Sequence, residues 1–169
     1  MQEGVASIGQ EPRPILGEVV AVAGPNLRVR LARGAPGGVQ SAPMIGNAII
    51  APTSEGDSIA LVYAIGRSDD GAEDVVLEAQ LIGEIVPVAD AAGRAFRRGV
   101  SRYPSIGALV SPAGNDAIEL AFGAQGRVGV RLGALRINRA IPAMLDLDRL
   151  VGQHFAVLGS TGTGKSCTT

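Results

Sequence analysis

Lysine is nearly missing from this chain of 169 residues: of 15 basic residues only Lys165 is a lysine, and arginine supplies the rest. Cysteine, histidine and tryptophan are as scarce, with one Cys, one His and no Trp, and aromatics reach only 3%. A lone Cys167 cannot form an internal disulfide, so the expectation is a reducing, cytoplasmic setting. The shortage of rings leaves Val, Ile, Leu and Ala to build the core out of a hydrophobic share of 46%. It also argues against a stacking platform for single-stranded nucleic acid. A formal net charge of −1 gives no overall attraction to DNA or to an acidic membrane, so any basic surface has to be local. No apolar run approaches the length of a membrane helix, and the acidic start around Glu3 and Glu11 is unlike a signal peptide. The chain therefore reads as soluble and intracellular, with no membrane partner.

What is present is a succession of short apolar runs separated by turn residues. The length suits one domain, or one domain and the start of a second. Ile15 to Ala23, a turn at Gly24-Pro25-Asn26, and the alternating Leu27-Arg28-Val29-Arg30-Leu31 predict a hairpin with Leu27, Val29 and Leu31 facing inward. Arg28 and Arg30 then share the outer face, either solvated or in contact with phosphate or an acidic partner. Gly- and Pro-rich Arg33 to Pro43 predicts a surface loop. Met44 to Ala51, Ser58 to Ile65 and a long run from Val75 to Val88 predict further strands, with Gly83 and Pro87 as places for a bulge or an exit from the ladder. Arg94, Arg97, Arg98 and Arg102 gather in what the pattern predicts to be an exposed connection, solvated or ion-paired, with nucleic-acid or partner contact as the alternative. Ile106 to Ser111, Ala117 to Phe122 and Val128 to Ile137 would complete the strands. Such short strands, without a convincing helix before residue 140, predict an all-β fold, a small closed barrel or a sandwich, with the Gly-rich corners favouring the barrel. The divisions expected are a tail over 1–14, the barrel over 15–138, a linker over 139–152 and a further domain starting at 153.

The one lysine lies within Gly159-Ser160-Thr161-Gly162-Thr163-Gly164-Lys165-Ser166, a complete P-loop. Its glycines let successive backbone N–H groups converge on a phosphate, while the lysine and the hydroxyl engage the outer phosphates and magnesium. The motif needs a buried strand before it and a helix after it, and Phe155-Ala156-Val157-Leu158 supplies the strand. A helix starting near Gly164 would offer its N-terminus to the anion. The plain alternative is a flexible tail from Gly159 to Gly164. His154, a strand's length before the loop, has an ordinary strand-start role as the simpler reading.

A β domain followed by Ile141-Pro142, Leu145-Asp146-Leu147, Leu150 and the run from His154 to Ser166 resembles the HerA family of hexameric DNA-translocating ATPases. Tyr103-Pro104-Ser105-Ile106-Gly107 and Gly17-Glu18-Val19 resemble that family's amino-terminal HAS barrel. The resemblance implies a HAS-like barrel followed by the first strand and P-loop of a truncated α/β NTPase domain. It implies a homo-hexameric ring that threads double-stranded DNA by hydrolysing ATP with Mg2+, the barrel serving ring assembly and docking a NurA-type nuclease or another effector. On these residues, Gly159, Ser160, Thr161, Gly162, Thr163 and Gly164 would wrap the phosphates, Lys165 would stabilise the β/γ oxygens and Ser166 would ligate magnesium. Cys167 and Thr168 would lie near the α-phosphate by position.

Hydrolysis also requires an acidic residue on a second strand and, in rings, an arginine from a neighbour. Asp146 and Asp148 precede the P-loop and do not fill that place. The expectation is an amino-terminal portion of a motor that does not hydrolyse ATP by itself, the alternatives being a stand-alone barrel for binding or oligomerisation, or part of another P-loop ring such as a conjugative pump or rotary ATPase. Phosphate release by this chain that vanished on Lys165→Ala would contradict that expectation.

Overall fold

A computed structural model describes residues 13–32, 44–68, 74–88, 93–123, 129–152, 154 and 156. The chain forms two compact units, Met1–Phe122 and Gly123–Thr169. The loop expected over 33–43 lies outside the described residues.

The first unit is a closed antiparallel barrel. Its strands are β1 (Gly17–Ala23), β2 (Asn26–Leu31), β3 (Ala48–Thr53), β4 (Gly56–Arg67), β5 (Val75–Pro87), β6 (Arg94–Arg98) and β7 (Leu109–Pro112), with one helix, α1 (Asn115–Phe122). The sheet runs β2-β1-β7-β3-β4-β5-β6, and β2 also pairs with β5, which joins the ends into a six-stranded ring that leaves β6 outside. The β1–β2 hairpin forms where the alternation placed it, with Leu27 and Val29 fully buried and Leu31 packed against the same core. Alternation works here because a strand turns successive side chains to opposite faces, so one face can be apolar throughout.

Closing a sheet of so few strands demands strong bending, and three extra residues provide it. Register shifts fall at Val20 in β1, at Tyr63 in β4 and at Ile82 in β5. Each inserts one residue against none on the partner, which coils the strand locally. The shift in β5 also divides that strand's labour. Residues from Val76 to Gln80 pair with β2 and close the barrel, whereas Gly83 to Pro87 pair with β6.

Two cores result. Inside the barrel lie Val19, Leu27, Val29, Val62, Leu77 and Val110, all aliphatic as the composition requires. Outside it, α1 covers one flank, where Ala117 meets Ile50 and Ile85, with Phe96 and Leu120 packed alongside. This explains why four successive residues of β3, Ala48 to Ala51, are buried: both faces of that strand are covered.

The structure corrects three sequence expectations. Ala117 to Phe122 is helix, not strand. Asn115 and Asp116 stand at its start, Ile118 N–H donates to the Gly114 carbonyl at 3.0 Å, and Ala117 and Ile118 are its buried face. A short apolar run does not itself separate strand from helix. The segment expected over Val128 to Ile137 forms β8 (Gly129–Ala134), which pairs not with the barrel but with β9 (Pro142–Asp146) in a separate two-stranded sheet. And the stretch read as linker carries β9 and a short helix, α2 (Leu147–Gly152). Among the described residues no helix is long and apolar enough to cross a membrane.

Gly17 shows how tightly the hairpin packs: a Cβ there would stand 2.0 Å from the backbone oxygen of Arg30. Gly17→Ala is expected to destabilise the barrel by about 1–3 kcal/mol, measured as a lower midpoint in urea; an unchanged midpoint would mean that the β1–β2 contact relaxes freely.

Candidate functional site

The P-loop sequence falls within the span of the second unit. Gly159, Ser160, Thr161, Gly162, Thr163, Gly164, Lys165, Ser166 and Cys167, with Thr168, lie outside the described residues. Of the strand expected before them, Ala156 is described and exposed, as is His154. Asp146 ends β9 and Asp148 lies in the first turn of α2. The donor set of the motif suits a nucleoside triphosphate: glycine N–H groups and an ammonium for phosphate oxygens, a hydroxyl for the metal that accompanies them. Among the described residues no group of three or more His, Cys, Asp or Glu could hold a metal ion.

The arginine cluster takes a form the sequence pattern did not predict. Arg94, Arg97 and Arg98 belong to strand β6, and only Arg102 lies in the connection that follows. Arg94 is drawn between Asp57, at 3.5 Å, and Asp116 of α1, at 2.5 Å, and Arg13 reaches the same Asp57 at 3.0 Å. Arg102 pairs with Glu55 at 2.7 Å. Arg97 and Arg98 are exposed and have no ion pair among the described residues. On the other flank Arg28 stands 3.9 Å from Glu78, and Arg30 lies 3.5 Å from Glu18 and 3.8 Å from Asp74. The outward charges of β2 are thus answered by neighbouring carboxylates. Next to them, partial desolvation and then the Glu78 carboxylate, which accepts its hydrogen bond, hold the Tyr63 phenol above its usual range, with Arg28 opposing.

One end of the barrel is stoppered by backbone. Glu84 alternates with Ile85, which faces α1, so the Glu84 carboxylate lies on the inner side. It is only 8% exposed and its Oε1 accepts the N–H groups of Ser101, at 2.5 Å, and Arg102, at 2.6 Å. Ser58, directly opposite Glu84 in the β4–β5 ladder and wholly buried, donates its hydroxyl to the Arg102 carbonyl at 3.4 Å. A buried carboxylate is tolerable only when its oxygens are bonded, and the incoming loop supplies those bonds. Val100 from this loop packs against the interior core. Sequence reasoning passed over Glu84, although a single acid in the run Leu81-Ile82-Gly83-Glu84-Ile85-Val86 was a signal available to it.

The continuation of the same loop joins the two barrel segments that carried the resemblance. Gly107 N–H donates to the Val19 carbonyl at 2.8 Å, and Val19 N–H donates to the Ala108 carbonyl at 2.9 Å. Pro104 is buried while Tyr103 and Ile106 are exposed. The Gly17-Glu18-Val19 and Tyr103-Pro104-Ser105-Ile106-Gly107 segments, far apart in the chain, are therefore one structural feature.

Comparison with known proteins agrees with this architecture. Residues 130–169 match the family described as helicase HerA, central domain, a match that opens within β8. Over 117 residues, 65% of this chain, the sequence is 31% identical to the DNA double-strand break repair helicase HerA of Pyrococcus furiosus. A stretch of that extent cannot fit within the second unit and so takes in barrel sequence. The chain spans 18% of that relative's length. The chain therefore joins a closed antiparallel barrel to sequence similar to the HerA central domain. Its similarity to HerA sequence thus runs through the second unit and into the barrel.

Glu84→Ala is expected to lower stability by about 1–3 kcal/mol, because two N–H groups at the barrel end lose their acceptor. Glu84→Gln, which keeps one oxygen, should cost less. Guanidinium denaturation of the two variants checks this, and equal midpoints for wild type and Glu84→Ala would show that the loop holds without the carboxylate.

Proposed function

We propose that this chain is the amino-terminal part of an ATP-dependent translocase or helicase acting on double-stranded DNA, a homo-hexameric ring in the cytoplasm whose barrel serves assembly and docks a nuclease of NurA type or another effector. The observation that carries the reading is the joining of a closed barrel to HerA central-domain sequence that contains a complete P-loop. The name of the Pyrococcus relative, a DNA double-strand break repair helicase, supports the choice of DNA as substrate.

In this reading Gly159 to Gly164 present backbone N–H groups to the phosphates, Lys165 neutralises charge on the β/γ oxygens and the Ser166 hydroxyl is a ligand for magnesium. Magnesium-bound ATP, when present, supplies the phosphoryl group whose hydrolysis drives movement. The second acidic residue and the neighbour's arginine that such chemistry requires belong to the remainder of the whole protein. Asp57, Asp116, Glu55 and Glu84 of the barrel are engaged by arginines or backbone N–H groups, which supports a structural part for them in this reading.

In the whole protein, Lys165→Ala is expected to reduce duplex-stimulated ATP hydrolysis on the order of a hundredfold or more while the barrel keeps its melting behaviour. A phosphate-release assay with and without duplex DNA makes the measurement. Full activity in the variant, or no response of either protein to DNA, would end the proposal.

A further inference from the structure

Among the described residues the barrel has one strand with an open side: every other strand of the first unit is paired on both edges over part of its length, whereas β6 pairs only with β5. The ladder between them shows which backbone groups are spent. Val88 N–H donates to the Gly93 carbonyl at 3.0 Å and Gly99 N–H to the Ile82 carbonyl at 3.2 Å, one at each end of the paired stretch. In an antiparallel pair the bonded positions recur at every second residue. Gly93, Ala95, Arg97 and Gly99 therefore turn their N–H groups towards β5, and Pro87, which has no N–H to give, falls opposite Arg94 at a non-bonded position. The N–H and C=O groups of Arg94, Phe96 and Arg98 are left pointing away from the barrel, and none meets a backbone partner among the described residues.

The side chains say what kind of strand this edge accepts. Phe96 is anchored against α1, and Gly83 leaves room for its ring: a Cβ at Gly83 would come within 2.3 Å of it. The edge is thus held in place from behind. Arg94 and Arg98 share the Phe96 face and Arg97 takes the other. Arg94 is already paired, whereas Arg97 and Arg98, one on each face at the same end, make no ion pair among the described residues; Glu84, directly opposite Arg97, gives its carboxylate to the Ser101 and Arg102 N–H groups instead. A second copy of β6 is a poor occupant, because antiparallel pairing about Phe96 would set Arg94 against Arg98, and like charges directly opposite destabilise. An added strand rich in Asp or Glu meets an arginine on whichever face its acids lie.

We propose that β6 is a docking edge that adds an extended acidic segment of a partner protein as an eighth strand of the sheet. The proposal rests on reading the barrel as a docking module and names its recognition chemistry: main-chain pairing for binding, arginines on both faces for choice of partner. Duplex DNA could satisfy the arginines but not the row of edge donors and acceptors.

The test is a titration of the full chain with a capped peptide of alternating glutamate and valine, followed by fluorescence anisotropy and by amide hydrogen exchange. The expected result is salt-sensitive binding that slows exchange at Arg94, Phe96 and Arg98, while Ala95 and Arg97, already bonded to β5, change little. Arg97→Glu with Arg98→Glu should weaken binding at least tenfold and favour the corresponding lysine-valine peptide. Arg98→Pro should also weaken it, because it removes an edge N–H without touching the ladder to β5; circular dichroism confirms that each variant is folded. Binding that leaves the three amides unprotected would overturn the edge while leaving barrel docking intact, as would a preference for a short DNA duplex over the acidic peptide. Absence of peptide binding would overturn it too, and the ATP hydrolysis assay on the whole protein reports independently on the motor reading.

Discussion

The architecture depends on one pairing, that of β2 with the first half of β5. Leu27 opposite Ala79 and Val29 opposite Leu77 convert a row of strands into a ring. Without that join the aliphatic interior would open to water on one side. The chain has few aromatics with which to build another core, and hydrophobic burial scales with the apolar area removed from solvent. The join is possible because β5 is long enough to serve two partners and because the extra residue at Ile82 bends it between them.

That division of β5 has a second consequence. Where β5 leaves β2, the barrel end would expose its interior, and the loop after β6 returns to cover it. Glu84 is the device that holds the cover: an acid on the inner side has to find donors, and two consecutive backbone N–H groups are what a loop can offer. From there the loop runs to Gly107 and bonds to Val19, so it ties the barrel end to β1. Closure, stopper and the two segments resembling a HAS barrel form one connected arrangement.

Charge follows the same logic. Arginines on the barrel flank and near the stopper are answered by Asp57, Glu78, Asp116, Glu18, Asp74 and Glu55. Exposed pairs of this type add little stability, but among the described residues they leave Arg97 and Arg98 of β6 as exposed arginines without an ion pair.

Much of this was legible in the residues themselves. Alternation between Leu27 and Leu31, turn residues at Gly24-Pro25, and the aliphatic composition determined a β hairpin and an aliphatic barrel core, because face alternation and turn preference are local properties of the chain. The P-loop motif is likewise written in consecutive residues, and it lies outside the described residues. What tertiary structure alone decided was partnership. Ala117 to Phe122 became a helix by packing on Ile50 and Ile85; β8 joined β9 and not the barrel; and Arg94, Arg97 and Arg98 became an edge strand rather than a solvated loop. Each of these outcomes turns on which distant segment lies alongside, and a short apolar or basic stretch carries no record of its neighbour.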